Sequence, residues 1–279
     1  MIIRRSPAAI FMAISRIILL ITAALFSVLP FFWAVLLSLK LPVDALSMPP
    51  TLLFNPQTSA YHMLFADPQF RIGLTNSLVV TSIVVVASTI IGALAGYALA
   101  RYRQPASFML LTASLILYAL PRTAFLLPYH QFGQRTGLYD SRLLLIFAMT
   151  GFVQPFTIWI FEGFFREMPE DLEKAAMIDG CTRLQALFRV VIPISGPALA
   201  TGAIFSMLFA YNDFLLPVIL TSTNASTMPV LIANYAGTSD MNRWPIFAAA
   251  SVVVALPMIL IMLAGQRLVV RGLVVGAVK

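Results

Sequence analysis

Tyr211, Asn212 and Asp213 stand together in an otherwise apolar run from Pro197 to Thr221. An ionisable group in such a run is costly enough to have a job. Two jobs are open: the carboxylate can lock helices together by hydrogen bonding, or the three side chains can line a passage for a hydroxyl-bearing solute. Asn76, at the start of another apolar run, joins them as a candidate path residue. Arg122, directly after Pro121, is a further embedded charge. Snorkelling to the outer surface is favoured for it over a gating or anion-binding role. No catalytic set accompanies these groups. The chain has no H-E-x-x-H, no paired aspartates, no G-x-S-x-G and no G-x-x-x-x-G-K-[ST] phosphate loop. One cysteine, Cys181, and two distant histidines, His62 and His130, offer neither an intrachain disulfide nor a plausible metal site. The chain therefore reads as a non-enzyme with no cofactor of its own.

The solvent that positions these residues is a bilayer. Hydrophobic residues make up 60% of the chain and charged ones 10%, far from the roughly 25% charged of soluble domains. Mean hydropathy is +0.91. A span needs about 20 apolar residues, and six runs qualify: 17–39, 77–100, 106–127, 143–164, 197–221 and 246–266. Pro121 and Arg122 interrupt the third, which predicts a broken helix whose irregular part is buried in protein or faces water. Arg4 and Arg5 before the first run imitate a secretory signal, but the run is too long and no clear small-residue cleavage site follows, so it reads as a retained helix. The expectation is an all-α membrane protein with one domain over 1–279.

Charge sets its direction. Arg101, Arg103, Arg166, Lys174, Arg183, Arg189 and Arg267 fall with both ends of the chain on the side richer in basic residues, which the positive-inside rule makes cytoplasmic. A net charge of +7 scattered in this way fits topology and does not form a nucleic-acid face. Two long connections, 40–76 and 222–245, then lie outside, and 165–196 lies inside.

The inner connection reads MPEDLEKAAMIDGCTRLQALFRVVIPISGP. Pro169 suits a first helical position, and Glu170, Asp171 and Glu173 place negative charge in the first turn. Leu172, Ala175, Ala176 and Asp179 share a face by spacing, and Gly180 stops the helix. Thr182 and Gln185 have capping-box spacing for a second helix with an apolar stripe of Leu184, Leu187, Phe188 and Val191, which Pro193 ends. Such a pair could lie on the membrane surface. Its glycine turn and small alanines suit docking against a protein groove better.

This loop resembles the signature of ABC-importer permeases, in which E-A-A, a following glycine and a terminal I-x-L-P mark the helix that docks on an ATPase. Ala175, Ala176, Gly180 and Pro193 fit, whereas Lys174 stands where the glutamate usually does, with Glu173 one place earlier. Asn76-Ser77, Tyr211-Asn212-Asp213 and the ending GLVVGAVK are similar to the smaller permease of maltose-type carbohydrate importers. The resemblance implies a type I importer fold in a bacterial inner membrane. It also implies coupling through Glu173, Ala175, Ala176, Asp179, Gly180 and Pro193, and a tail of Gly276, Ala277, Val278 and Lys279 at the ATPase interface. The implied partners are a second permease, two ATPase subunits that bind ATP and magnesium, an extracytoplasmic solute-binding protein and a sugar-like solute. The loop 222–245 occupies the place of one that enters the binding protein's cleft.

Plainer readings cover other features. Gly92 and Gly96 read as close helix packing, the thirteen methionines as core filling, and Asn224-Ala225-Ser226 as an exposed outer loop with a glycosylation pattern. An ion-gradient transporter is the competing class, but such proteins carry inverted repeats and several embedded titratable groups. The solute stays open among di- and monosaccharides, sugar acids, sulfo-sugars, polyols and glycerol phosphate.

Overall fold

A computed structural model describes residues 7–102, 104–236 and 243–277. Every regular element among them is helical. Helix α1 is described over Pro7–Ser38, and three helices open on proline: α2 (Pro42–Ala45), α4 (Pro68–Arg101) and α5 (Pro105–Ala119). Proline's fixed φ and missing N–H suit that position. Between α2 and α4 lies α3 (Ser59–Ala66). After α5 come α6 (Thr123–Thr136) and α7 (Arg142–Glu167), the latter capped by the Ser141 side chain, which accepts the Leu144 N–H at 3.2 Å.

The inner connection holds α8 (Asp171–Ile178), α9 (Arg183–Ala186), a five-residue π segment (Leu187–Val191) and α10 (Ile192–Ile194). It is followed by α11 (Gly196–Tyr211), α12 (Leu215–Leu220), α13 (Met228–Ala236) and α14 (Trp244–Ala277).

Segments of α1, α4, α7 and α14 are long and apolar enough to cross a bilayer, and two bent pairs raise the total to six if each is one span. In one pair α5 and α6 meet at 92°. Leu120, between them, has ψ 149° because the ring of Pro121 drives the residue before it out of the helical region. The other pair bends by 77° between α10 and α11. Pro193 does not end the second inner helix as the sequence suggests. The π turn, closed by the Ile192 N–H on the Leu187 carbonyl, admits an extra residue per turn and carries the helix through proline to Ile194. Helix α4 begins well before residue 77, since Asn76 and Ser77, polar in sequence, find hydrogen bonds inside the fold.

Contacts divide the chain into two compact units, Met1–Asp67 with Asn234–Ala255 and Pro68–Ala233 with Leu256–Lys279. In the first, Lys40 is buried with its ammonium over the rings of Trp33 and Phe54, at 5.4 and 5.2 Å. Tyr61 and Ser38 share a 2.8 Å hydrogen bond, and Tyr235 donates to Asp67 at 2.5 Å.

The second unit is built on α4 against α7, with α11 packed on both. Gly96 permits their approach: a Cβ there would stand 2.8 Å from the Glu162 backbone nitrogen and 2.9 Å from Phe161 Cβ. Two apolar clusters lie along the pair. Val80, Val84, Leu145, Met149, Leu216 and Leu220 form one. Ala93, Tyr97, Phe161, Phe165, Leu187 and Val191 form the other, which buries one face of the inner loop.

Candidate functional site

The inner loop is built by local chemistry. Helix α8 ends in a paired turn: the Gly180 N–H donates to the Met177 carbonyl at 3.1 Å and the Cys181 N–H to the Ala176 carbonyl at 3.0 Å. That motif places residue 180 in the left-handed region, at φ +87°, where a side chain is disfavoured. The next helix starts on the reciprocal bonds of a capping box. Thr182 Oγ1 accepts the Gln185 N–H at 3.3 Å, and the Thr182 N–H donates to Gln185 Oε1 at 2.9 Å.

Burial divides the faces differently from their spacing in the sequence. Leu187 and Val191 are buried, whereas Leu184 and Phe188 of the same stripe are 64% and 55% exposed, and Ile178 at the turn is 87% exposed. On α8 the buried residues are Glu173 and Ala176, while Leu172, Ala175, Asp179 and Gly180 face outward. The loop thus offers the large apolar side chains of Leu172, Ile178, Leu184 and Phe188 and one alanine face to whatever adjoins it. Pro193 lies in α10 at the bend into α11.

Glu173, expected to meet an ATPase, is buried in this chain. Its carboxylate is used within the chain: Arg101 Nε donates to Oε1 at 2.6 Å and the Tyr97 hydroxyl to Oε2 at 2.8 Å. The exposed charge at the next position is Lys174, which lies 3.2 Å from Asp171 and 3.9 Å from Glu170. Of the tail, Gly276 and Ala277 continue α14, while Val278 and Lys279 lie outside the described residues.

The four path candidates separate into different jobs. Asn76 is fully buried: its amide donates to the Asn224 and Ser226 carbonyls at 2.9 and 2.8 Å, and its oxygen accepts from Arg142 Nε at 2.7 Å. It ties the segment 224–226 to α4. Tyr211 is buried beside a cavity of about 340 Å³ lined also by Leu78, Thr81, Val85, Ile204 and Met207. Asn212 is exposed and its amide donates to the Leu208 carbonyl at 2.9 Å. Asp213 caps α12, accepting the Leu216 N–H at 3.2 Å, and meets Arg122 at 3.4 Å. The guanidinium of Arg122 lies over Phe152 and its side chain stays 34% exposed, so the structure adds an ion-pair partner to the snorkelling expectation.

Two features escaped the sequence. Arg101 reads only as a topological charge until the fold brings Glu173 to it. Asp140, at φ +56°, gathers the N–H groups of Ser222, Thr223, Asn224 and Ala225 at 2.8 to 3.2 Å. Burial opposes its ionisation, but those four bonds outweigh it and hold the carboxyl below the usual carboxylate value.

A profile described as the binding-protein-dependent transport system inner membrane component matches residues 6–275. The trehalose transport system permease protein SugB of Mycobacterium tuberculosis is 37% identical over 91% of this chain and 93% of its own length. The trehalose/maltose permease MalG of Thermococcus litoralis is 29% identical over 95% of this chain and 98% of its own. Among solved structures, a bacterial ABC transporter that imports the acidic polysaccharide alginate includes a chain with TM-score 0.79 and 20% identity, covering 94% of this chain and 98% of that one. At that identity the likeness speaks for the fold.

Proposed function

Because the chain belongs to the family of binding-protein-dependent transport inner membrane components, we propose that it forms half of the path by which an ATP-driven importer admits a glucosidic disaccharide or a close sugar relative. Membership makes it a non-catalytic, multi-pass permease subunit of an ABC importer that works with a binding protein. An ion-gradient mechanism has no further support.

The observation that carries the coupling part is the inner turn. Gly180 reverses the chain, and Ile178, Leu184 and Phe188 are exposed, as is the small Ala175, on the loop that follows the bilayer-length helix α7. Exposed apolar side chains beside an alanine face suit insertion into a partner's groove. The partner is an ATPase subunit, one of two, which binds ATP and magnesium. A second, homologous permease completes the path. Glu173 stays in the coupling element as its anchor, while Ala175, Asp179 and Gly180 form the outward face, and Pro193 lies where the loop bends into α11. The tail 276–279 reaches the ATPase dimer, with both termini cytoplasmic. The outer loop 222–245 meets the binding protein.

Sugar as solute is supported by the trehalose and maltose named for the relatives. Tyr211 and the exposed Asn212 are the path residues suited to hydroxyls. Reconstitution of the complete complex with its binding protein tests this, with ATP hydrolysis measured against trehalose, maltose and other sugars. Stimulation by one sugar in wild type, lost in Gly180→Pro while basal hydrolysis persists, supports both substrate class and coupling. Equal stimulation in the variant removes the inner loop from the coupling role. No stimulation by any sugar removes the substrate class.

A further inference from the structure

We propose that Arg101 is a positioning residue that makes the inner loop move as one body with α4 and α7, so that force on α8 reaches the spans without slip. The proposal rests on the coupling function just described and adds the element that transmits it.

One side chain joins three helical segments. Its stem rises from the last turn of α4. Nε and Nη2 both lie 2.6 Å from Glu173 Oε1 on α8, and Nη1 donates to the Phe165 carbonyl at 2.5 Å in the last turn of α7. Nη2 also reaches the Met168 carbonyl, just beyond α7, at 3.4 Å. The second oxygen of Glu173 is taken by Tyr97 of α4, so α8 is tied to α4 through both oxygens. The Arg101 and Glu173 side chains are only 6% and 7% exposed.

This burial decides the mechanical character of the joint. The apolar contacts around it, Phe165, Leu187 and Val191, resist separation but are non-directional and tolerate sliding. A buried ion pair does not, because a shift of an ångström or two leaves a charge without its partner in a poorly solvated place. The planar guanidinium with five fixed donors suits a joint with several acceptors in different directions, and a lysine ammonium lacks that fork. Both oxygens of Glu173 accept bonds from α4 and its side chain is 7% exposed, so the structure gives it a job within the chain.

The test uses the complete reconstituted complex and measures imported trehalose or maltose per ATP hydrolysed. Arg101→Lys keeps the charge and loses the fork. The expected result is an assembled complex that hydrolyses ATP within about two-fold of wild type but imports about ten-fold less sugar per ATP. Tyr97→Phe, which removes one of the ties, lowers the ratio by less. A covalent substitute provides the rescue: with Cys181→Ser as background, Arg101→Cys and Glu173→Cys joined by a bis-methanethiosulfonate regain import per ATP, and a reductant removes it again. An unchanged ratio in Arg101→Lys, with only the yield of complex reduced, makes Arg101 a stabilising residue and overturns the proposal, as does failure of the cross-link to restore the ratio. If wild type shows no sugar-stimulated hydrolysis at all, the proposed function itself falls and the joint falls with it.

Discussion

Arg122 Nη1 lies 3.4 Å from Asp213 Oδ2, and the two residues occupy the break between α5 and α6 and the break between α11 and α12. One ion pair therefore braces two discontinuities in the helical framework. The partners are not equal, since the Asp213 side chain is 6% exposed and that of Arg122 34%. Removing the arginine strands a buried carboxylate, a loss of about 3–5 kcal/mol, whereas removing the carboxylate leaves a cation that can still reach solvent. Arg122→Ala should therefore lower the melting temperature of the solubilised protein more than Asp213→Asn, and the double variant should recover part of the loss. A larger effect for Asp213→Asn would mean that the pair is not what braces the breaks.

The cap that Asp213 places on α12 is separable from its charge. Asparagine caps a helix about as well as aspartate, and alanine does not cap. Asp213→Ala should be less stable than Asp213→Asn by roughly 0.5–2 kcal/mol. Thermal unfolding of the two variants side by side reads that difference, and identical melting would show that the 3.2 Å bond to the Leu216 N–H contributes nothing.

Local chemistry was legible in the sequence and long-range pairing was not. Pro121 breaks a helix through its effect on Leu120, Gly180 reverses the chain through its own φ, and Thr182 with Gln185 closes a four-residue box; each signal lies within a turn of its effect. The surroundings of Glu173 were not legible in this way, because they are set by Arg101 and Tyr97, dozens of residues earlier on another helix. Pro193 failed because a π turn removes the conflict that proline normally creates. The partners of Asn76 at 142, 224 and 226, among which it is completely buried, are likewise remote in sequence.

The Asp140 cradle has a predictable acid response. Its folded pKa lies below the ordinary 3.8, so the anchoring of the outer loop is fully present above that value and is lost as pH falls through the lower, folded pKa. Hydrogen exchange of a peptide spanning 221–227 should show full protection at pH 7 and, after allowance for intrinsic rates, growing exposure only below about pH 4. Asp140→Asn turns an amide NH₂ toward backbone donors and should expose the same peptide at neutral pH. Equal protection in variant and wild type would mean that the other ties to this segment, from Asn76 and Ser77, hold the loop.

Two glycines on the packed pair α4 and α7 should respond oppositely to an added methyl. At Gly96 the new Cβ would meet the Glu162 backbone nitrogen at 2.8 Å, an atom that cannot swing aside, so the helices must part. Overpacking of that kind costs about 1–3 kcal/mol, which over most of that range exceeds the roughly 1 kcal/mol that alanine gains over glycine within a helix. Gly163, on α7, has nothing within 4 Å of a built Cβ, so alanine there keeps the helical gain. Gly96→Ala should therefore melt below wild type and Gly163→Ala at or above it. If Gly96→Ala melts with wild type, α4 can shift at no cost and is not held against α7 at that point.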